Sequence, residues 1–268
     1  MAQIGRETSP GTEPTFGNVP NDSIVIPTYD TYPYGYSRKT YLVSTTCDGD
    51  VRWHKSIGGA GRTYAKGLKV DADGGVYMAG NVFQSGTGVP LHYDQDSIKS
   101  TISEKNIYLI KYDTLGNFRW LREPQTSVTD PELATSGEIY VEPDGTIHWM
   151  VVLAPNANLE NSAIMAQDNY FPPTGTQVGD VGVIRYDKNG NFLGYTRLDM
   201  DMFGYTSHTI HNIGFTYAPL SQHYYITVNT FGGDGHKTII DGQEVTGLYY
   251  LATFDRDTGN VSWRHEHN

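Results

Sequence analysis

The chain has 268 residues, a formal net charge of −11, 20 tyrosines, 30 glycines and one cysteine, Cys47. That charge excludes a phosphate-gripping nucleic-acid surface, which needs clustered Lys and Arg, and it disfavours an anionic membrane surface equally. No apolar run approaches the ~20 residues of a membrane-spanning helix, and one cysteine rules out an intrachain disulfide.

The length suits one large all-β domain. Tyr favours half-buried pleated surfaces and Gly supplies tight turns, so the composition reads as strands and turns. The residues after Met1 lack the basic and apolar regions of a secretory leader, so an exported form would have shed one. Residues 1–38, rich in Pro, Gly, Thr and Tyr, read as an extended arm. Within it, 22–30 around Ile24 reads as a strand that completes the first sheet.

From residue 39 onward the sequence repeats. YLVSTTCDGDVRW (41–53) returns without a gap as YLIKYDTLGNFRW (108–120), then as GVIRYDKNGNFLG (182–194), then as YLATFDRDTGNVSW (250–263) with one extra turn residue. Each copy predicts a hairpin: a β run, an Asp or its equivalent, a Gly-containing turn, then a second strand. The turn glycines include Gly116 and Gly190. Trp53, Trp120 and Trp263 close three of the copies and are expected to be equivalent core or inter-blade residues. The third copy lacks the Trp.

A second hairpin follows: 67–83 with an Asp-Gly-Gly turn, 137–153, and 213–231 with a longer turn. Four antiparallel strands in each ~70-residue unit predict the blades of a β-propeller or partial propeller. The units fall at about 40–106, 107–181, 182–248 and a partial 249–268. Long connections at 84–105, 154–180 and 232–247 are binding loops or added hairpins, the last built around Asp241-Gly242. On this count the chain stops in the middle of a blade. Either the segment around Ile24 supplies the missing strands and closes a small ring, or the chain is the N-terminal piece of a longer propeller; the second account is favoured.

The run Leu109 to Trp120, together with VDADGGVYMAG at Val70 to Gly80, resembles the SBBP repeat, a β-propeller repeat of secreted bacterial proteins. The resemblance covers residues 40–263. It implies an extracellular or bacterial cell-surface location and, in some relatives, a C-terminal signal for type IX secretion, which does not follow Asn268.

Candidate chemistry is sparse. Asp71-Ala-Asp73-Gly74 and Asp187-Lys-Asn189-Gly190 start like a Ca²⁺ loop but lack its later ligands, and read as hairpin turns. His208 and His211, with Asp199 and Asp201 upstream, form the densest metal-ligand cluster, yet their spacing converges only on a helix. His265 and His267 would share one side of a strand. Glu123, Glu132 and Glu138 read as solvated, and Cys47 as an exposed turn thiol. Tyr32, Tyr34 and Tyr36 in one loop and Tyr170 and Phe171 in another are better leads, because aromatic rings beside Asn and Asp can stack on sugars. The expected function is therefore a non-enzymatic, adhesin-like binding or structural module without a cofactor. Its partner would be a protein, a glycan or the remaining blades of a larger exported protein. The alternatives are a polysaccharide-acting hydrolase with paired carboxylates and an exported cargo of a type IX-like system.

Overall fold

Runs in which apolar and polar residues alternate, cut by Gly-containing turns, form antiparallel strands, with no helix among the described residues. The computed structural model describes residues 2–5, 15–16, 24–25, 40–58, 61–84, 91–94, 97–100, 106–123, 134–153, 158–160, 164–165, 178–203, 213–229, 237–246 and 249–267.

Four larger sheets follow one another along the chain. The first joins Ala2–Gly5, Thr40–Thr45 and Val51–Ile57. The second joins Gly61–Val70, Val76–Gln84, Asn106–Tyr112 and Phe118–Arg122, hydrogen-bonded in that order. The third continues through Ala134–Val141, Ile147–Leu153, Val178–Tyr186 and Phe192–Phe203, then gains Lys237–Ile240 and Gln243–Glu244 at its edge. The fourth joins Ile213–Ala218, His223–Asn229, Tyr249–Asp255 and Val261–His267.

The sheets are out of phase with the sequence repeats by one hairpin. The second hairpin of each copy pairs with the first hairpin of the next, as where Tyr77 lies opposite Lys111. This corrects the expectation that the four strands of each repeat form one sheet; Val261–His267 is the fourth strand of the fourth sheet. Among the described residues the segment around Ile24 does not extend the first sheet either. Ile24–Val25 pairs with Thr15–Phe16, and Ala2–Gly5 supplies the extra strand beside Thr40–Thr45. The hairpin at Asp241-Gly242 forms as expected, with φ of 52° and 66° at its two turn residues, and it widens the third sheet.

The sheets stack face to face, with apolar residues pointing both ways. Leu42 and Ile57 of the first sheet pack with Met78, Val82 and Ile110 of the second. The opposite face of the second, with Tyr77, Leu109 and Trp120, packs on Ile139, Trp149 and Ile184 of the third. The far face of the third, with Met150, Val183 and Met200, packs on Phe215, Tyr224 and Phe254 of the fourth. Period-2 alternation thus assigns neighbouring residues such as Tyr77 and Met78 to different cores.

Candidate functional site at the joints between sheets

The turns that end the repeated hairpins are built by their first residue. Asp113 Oδ1 accepts from the backbone N–H of Leu115 and Asn117, both at 2.8 Å, and Oδ2 accepts from the Asn117 amide at 2.9 Å. Asp187 does the same for Asn189 and Asn191. Burial raises both carboxyls, but the turn bonds acting together, with the Arg119 charge at Asp113, hold them below their ordinary range. The oxygens that suggested the start of a Ca²⁺ loop at Asp187 are directed at their own turn.

Both of these turns receive a side chain from the preceding sheet. The Trp53 ring covers Gly116, where a Cβ would lie 2.7 Å from the indole, and its Nε1–H donates to the Thr114 carbonyl at 3.0 Å. The Trp120 ring covers Gly190 at 2.9 Å from an added Cβ, and its Nε1–H donates to the Lys188 carbonyl at 3.1 Å. Only glycine admits this approach. Trp53 and Trp120 thus make the same contact between consecutive sheets.

Cross-strand register extends the interlock into a row. Tyr77, Lys111 and Trp120 lie side by side across the second sheet. Lys111 Nζ lies 3.3 Å from Asp71 Oδ2, donates to the Lys188 carbonyl at 3.2 Å, and sits 4.6 Å from the Tyr77 ring centroid. The Tyr77 hydroxyl donates to Asp71 at 2.8 Å. Burial raises the Asp71 carboxyl, but the bonds from Tyr77 and Gly75 and the Lys111 charge hold it below its ordinary range. A groove of about 530 Å³ opens beside this row, lined in part by Asp73, Asp113, Arg119 and Asn189.

The same row in the third sheet reads His148, Arg185 and Gly194. Here the missing Trp is replaced. The Arg185 guanidinium lies over Gly194, 3.1 Å from an added Cβ, and its Nη1 is 3.5 Å from Asp257 in the next turn. His148 Nε2 lies 2.7 Å from Glu142 Oε1 and Nδ1 lies 3.0 Å from the Tyr224 hydroxyl, with Tyr217 stacked at 4.3 Å. A neutral imidazole meets both partners, donating to Glu142 and accepting from Tyr224. Burial drives His148 below its ordinary 6.5, against the opposing pull of Glu142. The unfolded chain therefore takes up a proton that the folded chain refuses. The contribution of this group is complete above pH 6.5 and is lost as pH falls below it. His148→Gln, which keeps a donor toward Glu142, is expected to show a smaller fall in Tm between pH 7.5 and 5.5 than the wild type. Half-buried His54, lowered by burial and by Lys55, is common to both proteins and cancels in the comparison.

In the fourth sheet the row is Tyr225, Thr253 and Trp263, and here the expectation fails. Trp263 is 50% exposed, against 9% for Trp120. It stacks on His265 at 5.9 Å between centroids and 7° between planes. His265 and His267 lie in the same strand on the same side, opposite Leu251 and Tyr249, and border a cleft of about 340 Å³ with Thr227 and Val228. This face carries the positions that are core in the second sheet: Leu251 matches Leu109, and Tyr249 matches Ile107.

The remaining expected residues divide. Asp201 lies opposite Asp180 in the register, and Arg197 Nη2 donates to both, at 2.9 Å and 3.1 Å. Burial raises the Asp201 carboxyl, with Arg197 opposing. One guanidinium thus holds the two carboxylates together. Asp199 contributes backbone instead: its N–H donates to the Gly259 carbonyl and its carbonyl accepts from Asp241. Among the described residues no group of three or more His, Cys, Asp or Glu could hold a metal. His208, His211, Tyr32, Tyr34, Tyr36, Tyr170 and Phe171 lie outside the described residues. Sequence reasoning missed buried Trp149, whose N–H donates to Ser136 Oγ at 2.9 Å, and the substitution of Arg185 for a Trp. Aligning whole rows rather than single motifs would have exposed both.

No helix among the described residues is long and apolar enough to cross a membrane. No family model and no curated protein matches the chain. Among solved structures, a gluconolactonase from Xanthomonas campestris is similar at 14% identity over 84% of each chain, with a TM-score of 0.24. A protein of unknown function from Bacteroides caccae is similar at 12% identity, with a TM-score of 0.33, over 99% of this chain and 94% of its own.

Proposed function

We propose that the chain is a propeller-type binding and structural module of a secreted or cell-surface protein, and that it binds through the outer face of its fourth sheet. One observation carries this reading. The row that locks consecutive sheets together ends on an exposed Trp263, stacked on His265 beside an apolar cleft. Trp263 and Tyr249 of this face are both about half exposed; contiguous apolar surface rimmed by polar groups marks interaction sites, and Trp is enriched where binding energy concentrates. The resemblance to SBBP repeats motivates the extracellular setting.

Trp263→Ala tests the reading, because an exposed ring can be removed without opening the core. Its Tm is expected to stay within a degree or two of wild type, a change of under ~0.5 kcal/mol. Retention of glycans and of protein partners, the chain itself included, on immobilised protein is expected to fall about tenfold or more. A ligand held equally by both proteins would place binding elsewhere. Release of sugar from a polysaccharide by the purified chain would favour the hydrolase alternative instead.

A further inference from the structure

The first sheet presents the other half of the joint that Trp263 leaves open. The Thr46–Asp50 turn has the backbone of the two covered turns. Thr46 N–H donates to the Asp50 carbonyl at 2.8 Å and Gly49 N–H to Thr46 at 3.2 Å, matching 2.9 and 3.0 Å in the turn at Gly116 and 2.9 and 2.9 Å in the turn at Gly190. Gly49 has a φ of +95°, against +81° for both others. Where Gly116 and Gly190 each lie under an indole, Gly49 has nothing among the described residues within 4 Å of an added Cβ. The carbonyls that accept the indole N–H belong to Thr114 and Lys188, two residues before the glycine; here that residue is Cys47, which is exposed.

We propose that the outer face of the fourth sheet docks on the Thr46–Asp50 turn of a second copy of this chain, head to tail, with Trp263 over the partner's Gly49 and its N–H on the partner's Cys47 carbonyl. The proposal rests on the reading of that face as a binding surface and names its partner. The chain makes this joint twice internally and carries both halves of a third, Trp263 half exposed and Gly49 without a cover among the described residues. Apolar clusters join first to second, second to third and third to fourth sheet, and none joins fourth to first among the described residues. Tyr41 and Val43, on the strand face behind the receiving turn, are already buried, so the contact is confined to the turn. It falls at the small end of specific interfaces, and association is weak and concentration-dependent. The net charge of −11 repels copies, so added salt strengthens it. A contact between unlike surfaces grows as a ring or a filament.

The test is sedimentation of the full chain over a concentration series, with two variants that each lose one half: Trp263→Ala, and wild type with Cys47 capped by a bulky maleimide. Wild type is expected to associate as concentration rises. Each variant alone should associate at least about tenfold more weakly, and an equimolar mixture should form a one-to-one pair that grows no further, because each supplies the half the other lacks. A wild type monomeric at every concentration overturns the proposal, as does a mixture no tighter than its components. Protection of Cys47 that requires Trp263 but ignores concentration also overturns it, since that is closure within one chain. If self-association fails while another ligand still requires Trp263, the binding-face reading stands. If no ligand requires Trp263, that reading falls too.

Discussion

Trp120→Ala is expected to lower stability by about 3–5 kcal/mol, the cost of emptying an aromatic site in a core. A denaturation midpoint or a calorimetric Tm reads it, with a fall of roughly 10 °C. The ring is 9% exposed, packs against Tyr77 at 6.0 Å between centroids, and spends its N–H on Lys188 of the next sheet. Removing it opens a cavity, strips a neighbour from Arg122, whose guanidinium lies 5.8 Å from the ring centroid, and uncovers Gly190. Trp53→Ala should cost less, because that ring is only partly buried at its joint. The three variants Trp120→Ala, Trp53→Ala and Trp263→Ala should therefore rank by coverage, although their local motifs are alike. A Trp120→Ala loss below about 1 kcal/mol would show that the joint does not hold the sheets.

Gly259→Ala is the second large effect, expected at about 3 kcal/mol or more. Gly259 is the turn glycine of the last copy, at φ +73°, and an added Cβ would overlap the carbonyl oxygen of Arg197 in the third sheet. Two costs combine: an L residue in the left-handed region loses about 1–2 kcal/mol, and overpacking against backbone that cannot rotate away adds about 1–3 kcal/mol. Gly49→Ala is the internal control. It has the same kind of φ but no described residue within 4 Å of an added Cβ, so only the first cost, about 1–2 kcal/mol, applies. Equal losses at the two positions would mean that the third and fourth sheets do not approach as closely as described.

Strands, turns and hairpin partners were legible because they are local or nearly so. Alternation fixes which face a residue takes, and the Asp–Gly spacing fixes the turn, so the hairpins at Asp113, Asp187 and Asp241 could be read directly. The phase of the sheets was not legible. A strand such as Val76–Gln84 has hairpin partners on one side only, and its other edge is completed across a long connection whose residues carry no signal of it. The fate of each Trp was equally hidden. Trp120 and Trp263 have similar neighbours in sequence, and what separates them is whether a following sheet covers the row. Arg185 illustrates the same limit: its role as a substitute for Trp appears only when Gly194 and Asp257 are placed around it. The aromatic loops offered as binding sites lie outside the described residues, and the exposed aromatic face came instead from a residue expected to be core.

The most direct measurement is hydrogen exchange at the four indole N–H groups, followed by NMR on the chain with Cys47 capped. Trp53, Trp120 and Trp149 donate to Thr114, Lys188 and Ser136 across sheets or within the core, whereas Trp263 faces outward. The account predicts slow exchange for Trp120 and Trp149, intermediate for Trp53, and fast for Trp263. A Trp120 signal exchanging as fast as that of Trp263 would contradict it, because the joint between the second and third sheets would then be open.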